Sequence, residues 1–144
     1  MSWHRKVNCN FLQIAAYKGY KNSQMQSSQN LLGLHILLTL QTESLEKLKN
    51  FKGFSSFSQE LLRKYSLDKV GESYHIFDND SFTSALCLME SHLCIHTWPE
   101  INKLTADIYL CNYSQDNTAK VRGIAKDIAS YFEADIVKIA EIER

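Results

Sequence analysis

What the chain lacks narrows its class. No stretch of eighteen or more apolar residues occurs in its 144 residues, so no membrane-spanning helix can be drawn. No CxxC pair exists among Cys9, Cys87, Cys94 and Cys111, and Cys87 and Cys94 sit in apolar, strand-like sequence. Free thiols in a reducing cytoplasm fit this better than a disulfide framework. Net charge is absent too, with 16 basic and 16 acidic residues. No acid precedes Glu43, whereas Arg5, Lys6, Lys18 and Lys21 do, which leaves 12 basic against 16 acidic groups beyond residue 42. A basic nucleic-acid-binding surface is therefore unsupported. Proline occurs once, at Pro99.

What is present suits one domain with a real core, since 44% of the residues are hydrophobic. Residues 1–31 are polar and mildly basic, with a Ser/Gln/Asn cluster at Ser23 to Asn30, and are expected to form a flexible N-terminal extension rather than a targeting peptide. The domain itself spans residues 32–144. Gly33 to Thr42 reads as a buried strand. Thr42 or Ser44 then caps a helix carrying Leu45, Leu48 and Phe51, which Gly53 interrupts before Phe57, Leu61 and Leu62. Strands follow at Val70 to Phe77, Thr83 to Thr97 with a break near Ser91, and Thr105 to Cys111. The runs Asp78 to Ser81 and Pro99 to Lys103 are turns. Asn117 caps a helix with the stripe Val121, Ile124, Ala125, Ile128 and Phe132, and Asp135 to Ile142 closes as a strand. Strands grouped in the middle, with one helix after the first and one before the last, give an α+β fold. It is a two-layer sandwich, a mostly antiparallel sheet with two helices on one face and the other face open to a partner.

The chemistry concentrates in Met89 to Glu100, where Ser91, His92, Cys94 and His96 fall within an apolar run that ends at Trp98 and Pro99. Side chains alternate along a strand, so His92, Cys94 and His96 share one side. They admit three readings: a zinc or copper site, an ordinary interior thiol with hydrogen-bonded histidines, or self-cleavage. In the last, Ser91 attacks the carbonyl of Glu90, exchanging amide for ester, and base-assisted elimination leaves dehydroalanine, which hydrolyses to a pyruvoyl group.

The segment Glu-Ser-His-Leu-Cys-Ile-His-Thr-Trp-Pro-Glu, residues 90–100, resembles the processing segment of the prokaryotic S-adenosylmethionine decarboxylase proenzymes. The similarity continues through Gly33-Leu34-His35, Tyr74-His75-Ile76-Phe77 and Asp107-Ile108-Tyr109-Leu110-Cys111. The resemblance implies the same sandwich fold, cleavage between Glu90 and Ser91 into a β chain (1–90) and an α chain (91–144), and a covalent pyruvoyl cofactor derived from Ser91. That group forms a Schiff base with the amine of S-adenosylmethionine and draws electrons as carbon dioxide leaves, in a route to spermidine, with no metal or diffusible cofactor. By the same resemblance His96 is the processing base, Thr83 stands where a serine usually assists processing, Cys111 is the catalytic proton donor, and Phe77 and Glu100 bind substrate. The expected assembly is a cytoplasmic homodimer of αβ units, without nucleic acid or membrane partners. Cys94, Ser84, Leu34 and Asn112 depart from the usual residues. The alternatives they leave are a basic amino acid, ornithine or arginine, as substrate, or an uncleaved regulatory or metal-binding paralogue.

Overall fold

Alternation of apolar and polar residues decides which way each strand faces. In Leu34–Gln41 (β1), residues Leu34, Ile36, Leu38 and Leu40 are buried, while in Lys103–Leu110 (β5) Leu104, Ala106, Ile108 and Leu110 are. The computed structural model describes residues 32–144, so the N-terminal extension at 1–31 lies outside the described residues. After β1 come the helices α1 (Leu45–Lys49) and α2 (Phe51–Tyr65), then β2 (Lys69–Ile76), β3 (Phe82–Leu88), β4 (Ser91–Trp98), a 3₁₀ turn at Pro99–Ile101, β5, helix α3 (Thr118–Tyr131) and β6 (Asp135–Glu143). The sheet has six strands in the order β2-β3-β4-β5-β1-β6, and every neighbouring pair is antiparallel.

The helices cover one face. Phe54, Leu61 and Leu62 of α2 and Val121, Ile124 and Ile128 of α3 join Phe82, Leu86, Ile95 and Leu110 of the sheet in one buried cluster. Each such side chain contributes about 1.5–3 kcal/mol on burial. The two long helices approach closely because Gly123 leaves room for Tyr65, whose hydroxyl would lie 2.4 Å from a Cβ there. Tyr65 donates to Asp127 of α3 at 2.8 Å.

Two local expectations need correction. Gly53 does not interrupt the first helix; the break falls at Asn50, whose Oδ1 accepts from the Gly53 N–H at 2.7 Å and so restarts the chain as α2. Asn117 does precede α3, yet its side chain caps nothing there; Asp116 Oδ1 accepts from the Thr118 N–H at 2.9 Å instead. What the Asn117 side chain does hold lies at the site.

Candidate active site

Strands β3 and β4 are joined by only Met89 and Glu90, with Leu88 opposite Ser91. Two-residue hairpins favour turns whose central residues take positive φ. Neither Met89 nor Glu90 does so; Ser91 takes φ 146° instead. That region is rarely occupied by residues with side chains, so the backbone is strained at this serine.

The end of β5 lies against the strained turn. The Cys111 N–H reaches the Glu90 carbonyl oxygen at 3.1 Å and the Ser91 Oγ at 3.0 Å. One donor thus touches both the carbonyl of the Glu90–Ser91 peptide and the hydroxyl beside it. Such a donor polarises the carbonyl and would stabilise the oxyanion of a tetrahedral intermediate. The thiol of the same Cys111 is free and half-buried. Gly33 fixes the approach: a Cβ there would lie 2.1 Å from the Leu110 carbonyl oxygen and 2.6 Å from the Cys111 Cα, so only glycine lets the chain pass.

A second cluster occupies the opposite end of β3 and β4. Thr83 pairs with His96 across these strands, and Thr83 Oγ1 meets His96 Nδ1 at 2.6 Å. With a proton on Nδ1 donated to Thr83, Nε2 is left as the base. At the same end Phe77, Trp98 and Glu100 line a shallow groove of about 440 Å³. The Phe77 ring is 47% exposed and meets His75 edge-on with ring centres 4.7 Å apart, and Glu100 accepts only a long bond from Asn79. Phe77, Glu100, Thr83 and His96, expected to act with Ser91, are thus brought near one another but not near Ser91. His96 lies five residues along β4 from Ser91, about 17 Å in extended chain.

Between the two ends, on the sheet face away from the helices, the Asp107 carboxylate accepts from His35 Nε2 and, at 3.3 Å, from His92 Nε2. Among the described residues these are the three ligand-type side chains whose donor atoms lie within 4.8 Å of one another. The face His92, Cys94 and His96, offered by the alternation as a metal site, does not converge. His96 is turned to Thr83, and burial, then the nearby Asp107 carboxylate and Cys87, push the Cys94 thiol up, away from the thiolate a metal needs. The Cys111 main-chain N–H did not stand out in the sequence, and Asp107, though it opens a quoted segment, was given no role there; its local signal is a lone acid in the otherwise uncharged run Leu104 to Leu110.

The chain from residue 34 to residue 144 matches the family model described as S-adenosylmethionine decarboxylase. It is 29% identical over 114 residues to the S-adenosylmethionine decarboxylase proenzyme of Archaeoglobus fulgidus, covering 79% of this chain and 98% of that protein. To the proenzyme of Thermodesulfovibrio yellowstonii it is 28% identical over 113 residues, 78% of this chain and 81% of the other. In three dimensions it superposes on the crystal structure of the adenosylmethionine decarboxylase from Aquifex aeolicus with a TM-score of 0.66 and 25% identity, covering 81% of this chain and 91% of that one. A match across all six strands and the three helices, with the strained serine at its centre, shows that this chain belongs to the S-adenosylmethionine decarboxylase family.

Proposed function

We propose that this chain is the proenzyme of a pyruvoyl-dependent S-adenosylmethionine decarboxylase. It cuts itself between Glu90 and Ser91 and then removes carbon dioxide from S-adenosyl-L-methionine, making an aminopropyl donor for spermidine synthesis in the cytoplasm. The observation that carries the reading is the Cys111 N–H, set between the Glu90 carbonyl oxygen and the Ser91 Oγ at a serine with φ 146°. This is what a backbone N-to-O acyl shift requires: a nucleophile next to its carbonyl, a donor for the oxyanion, and strain relieved when the amide becomes an ester. A pyruvoyl group derived from Ser91 supplies the electron sink for decarboxylation. Around it, this chain's own residues have separate tasks. The Cys111 thiol, anchored by its own main chain, returns a proton to the substrate carbon, the Phe77 ring stacks on adenine, and Glu100 holds the polar groups of the substrate.

His96 cannot serve Ser91 of its own chain. A general base works within about 3 Å of its proton, and about 17 Å of strand intervenes. The reading therefore includes a homodimer of αβ units in which the His96–Thr83 pair and the Phe77–Glu100 groove of one copy meet Ser91 and Cys111 of the other. The open sheet face supports this. It carries Leu37, His92, Cys94, His96 and Ile142, covered by no element among the described residues.

The test is the intact mass of the purified protein under denaturing conditions. The expected result is two chains, 1–90 and 91–144, the second lighter than its sequence by about one ammonia, as elimination and hydrolysis demand. A single uncut chain of 144 residues would overturn the reading.

A further inference from the structure

Asn117 is 1% exposed, and its amide is committed to groups on both sides of the cleavage turn. Nδ2 donates to Glu90 Oε2 at 3.1 Å and to the Cys111 carbonyl oxygen at 2.8 Å. Both partners are acceptors, which fixes the amide orientation, since flipping it would set oxygen against oxygen. Its own N–H is held by Asn112 Oδ1 at 2.8 Å, and Asn112 in turn donates to the Leu32 carbonyl at 2.7 Å. The remaining atom, Asn117 Oδ1, is buried without a partner, beside a cavity of about 180 Å³ also lined by Met89, Glu90 and Lys120. A helix-capping role, which would justify an asparagine here, is filled by Asp116. The two bonds the amide donates run instead to the residue before the scissile bond and to the residue whose N–H touches it.

We propose that Asn117 is the positioning residue for self-cleavage, a clamp that holds the Glu90 side chain and the Cys111 main chain in register so that one N–H spans the Glu90 carbonyl and the Ser91 hydroxyl. The inference rests on the self-cleavage reading above and concerns its first step alone. In that step the Ser91 Oγ forms a bond to the Glu90 carbonyl carbon, the carbonyl carbon–nitrogen bond breaks, and the hydroxyl proton ends on the released Ser91 nitrogen. The product is an ester and a free amine, with nothing gained or lost. Asn117 touches none of the reacting atoms. Its effect is on whether the Cys111 N–H faces the oxygen that becomes negative.

The experiment makes the full-length wild type and the variants Asn117→Ala and Asn117→Asp afresh by pulse-labelled cell-free synthesis, so that each starts uncut, and follows cleavage with time on denaturing gels, with and without hydroxylamine, which cuts esters but spares the amide. Asn117→Asp keeps the shape and replaces the donor by a carboxylate facing Glu90, so it tests the clamp even where Asn117→Ala does not fold. Thermal melting reports folding of each. The expected result is that folded variants are cut at least about tenfold more slowly than wild type, the rate effect of one misplaced hydrogen bond, and that the uncut chain resists hydroxylamine. Adding Glu90→Gln to Asn117→Asp restores a donor to the pair and recovers part of the rate, a rescue that a purely structural asparagine would not show. Cleavage of both folded variants at the wild-type rate, build-up of a hydroxylamine-sensitive ester, or no rescue would overturn the proposal. A wild type that stays uncut would instead overturn the self-cleavage reading itself.

Discussion

Two defective chains should repair each other. On the reading proposed above, Ser91→Ala removes the hydroxyl that would attack Glu90 and His96→Ala removes the proposed base, so neither variant alone is expected to be cut. In the proposed two-fold dimer each site pairs Ser91 of one copy with His96 of the other. A mixed dimer then has one site lacking both groups and one site with both intact. When the two variants are co-expressed in equal amounts and pair at random, about half of the His96→Ala chains have a Ser91→Ala partner. Those chains, about a quarter of the total, should be cut, and the Ser91→Ala chains should never be. Distinct affinity tags on the two variants and denaturing mass analysis identify which chain was cleaved. The magnitude follows from the strand geometry: the 17 Å estimated between Ser91 and His96 exceeds by about fivefold the reach of a proton-transferring hydrogen bond, and no rotamer of histidine closes such a gap. Cleavage of the Ser91→Ala/His96→Ala mixture at zero, alongside full cleavage of wild type, would refute the shared site. So would cleavage of a monomeric wild type at a rate independent of protein concentration.

Two further outcomes follow from features of the structure. Gly33→Ala forces a methyl against the Leu110 carbonyl, so we expect a loss of about 2–3 kcal/mol in chemical denaturation together with slowed cleavage, because the atoms that move carry the Cys111 N–H; an unchanged midpoint would show that the β1 and β5 ends are not packed as described. Cys94 should react with a thiol-specific alkylating reagent more slowly at neutral pH than a free model thiol, and its pH–rate profile should lie higher. Burial first, then Asp107 and Cys87, raise its pKa above the ordinary thiol value and shrink its thiolate fraction at any pH below that raised value. Equal rates measured by peptide mapping would contradict this.

The fold and the site differed in how much of each was legible. Helical spacing is a local property, so the stripe from Val121 to Phe132 announced its buried face directly, whereas Gly33 to Thr42, read as a buried strand, is buried throughout on one side only and leaves Leu37 exposed on the other. The misplaced helix break had a local cause as well. Glycine is the usual breaker, but Asn50 offers a side-chain acceptor three residues ahead of it, and capping prevailed. The candidate residues Phe77, Ser91, His96, Glu100 and Cys111 could be picked out because each stands in a quotable segment, and Thr83 because of its place in the resemblance. Their partition between two ends of a sheet could not, because it depends on which strands pair. Ser91 falls opposite Leu110, and His96 opposite Thr105, only once β4 and β5 are aligned. The same holds for Asn117, which reads locally as a helix cap and is diverted by contacts 27 and 6 residues away in sequence. Thr83 illustrates the opposite case. Its hydroxyl meets His96 as a serine would, so the substitution leaves that contact in place.

The strand order β2-β3-β4-β5-β1-β6 carries one more implication. A cut after Glu90 would leave β1, β2 and β3 in one chain and β4, β5 and β6 in the other, with β1 threaded between β5 and β6. The two products would be plaited through the sheet, and parting them would break three strand interfaces at once. Such a molecule keeps the folded state it had when intact, but once melted it must reassemble from two pieces at a rate set by their concentration. Folding would be a first-order event that each molecule performs before the cut and cannot repeat on the same terms afterwards.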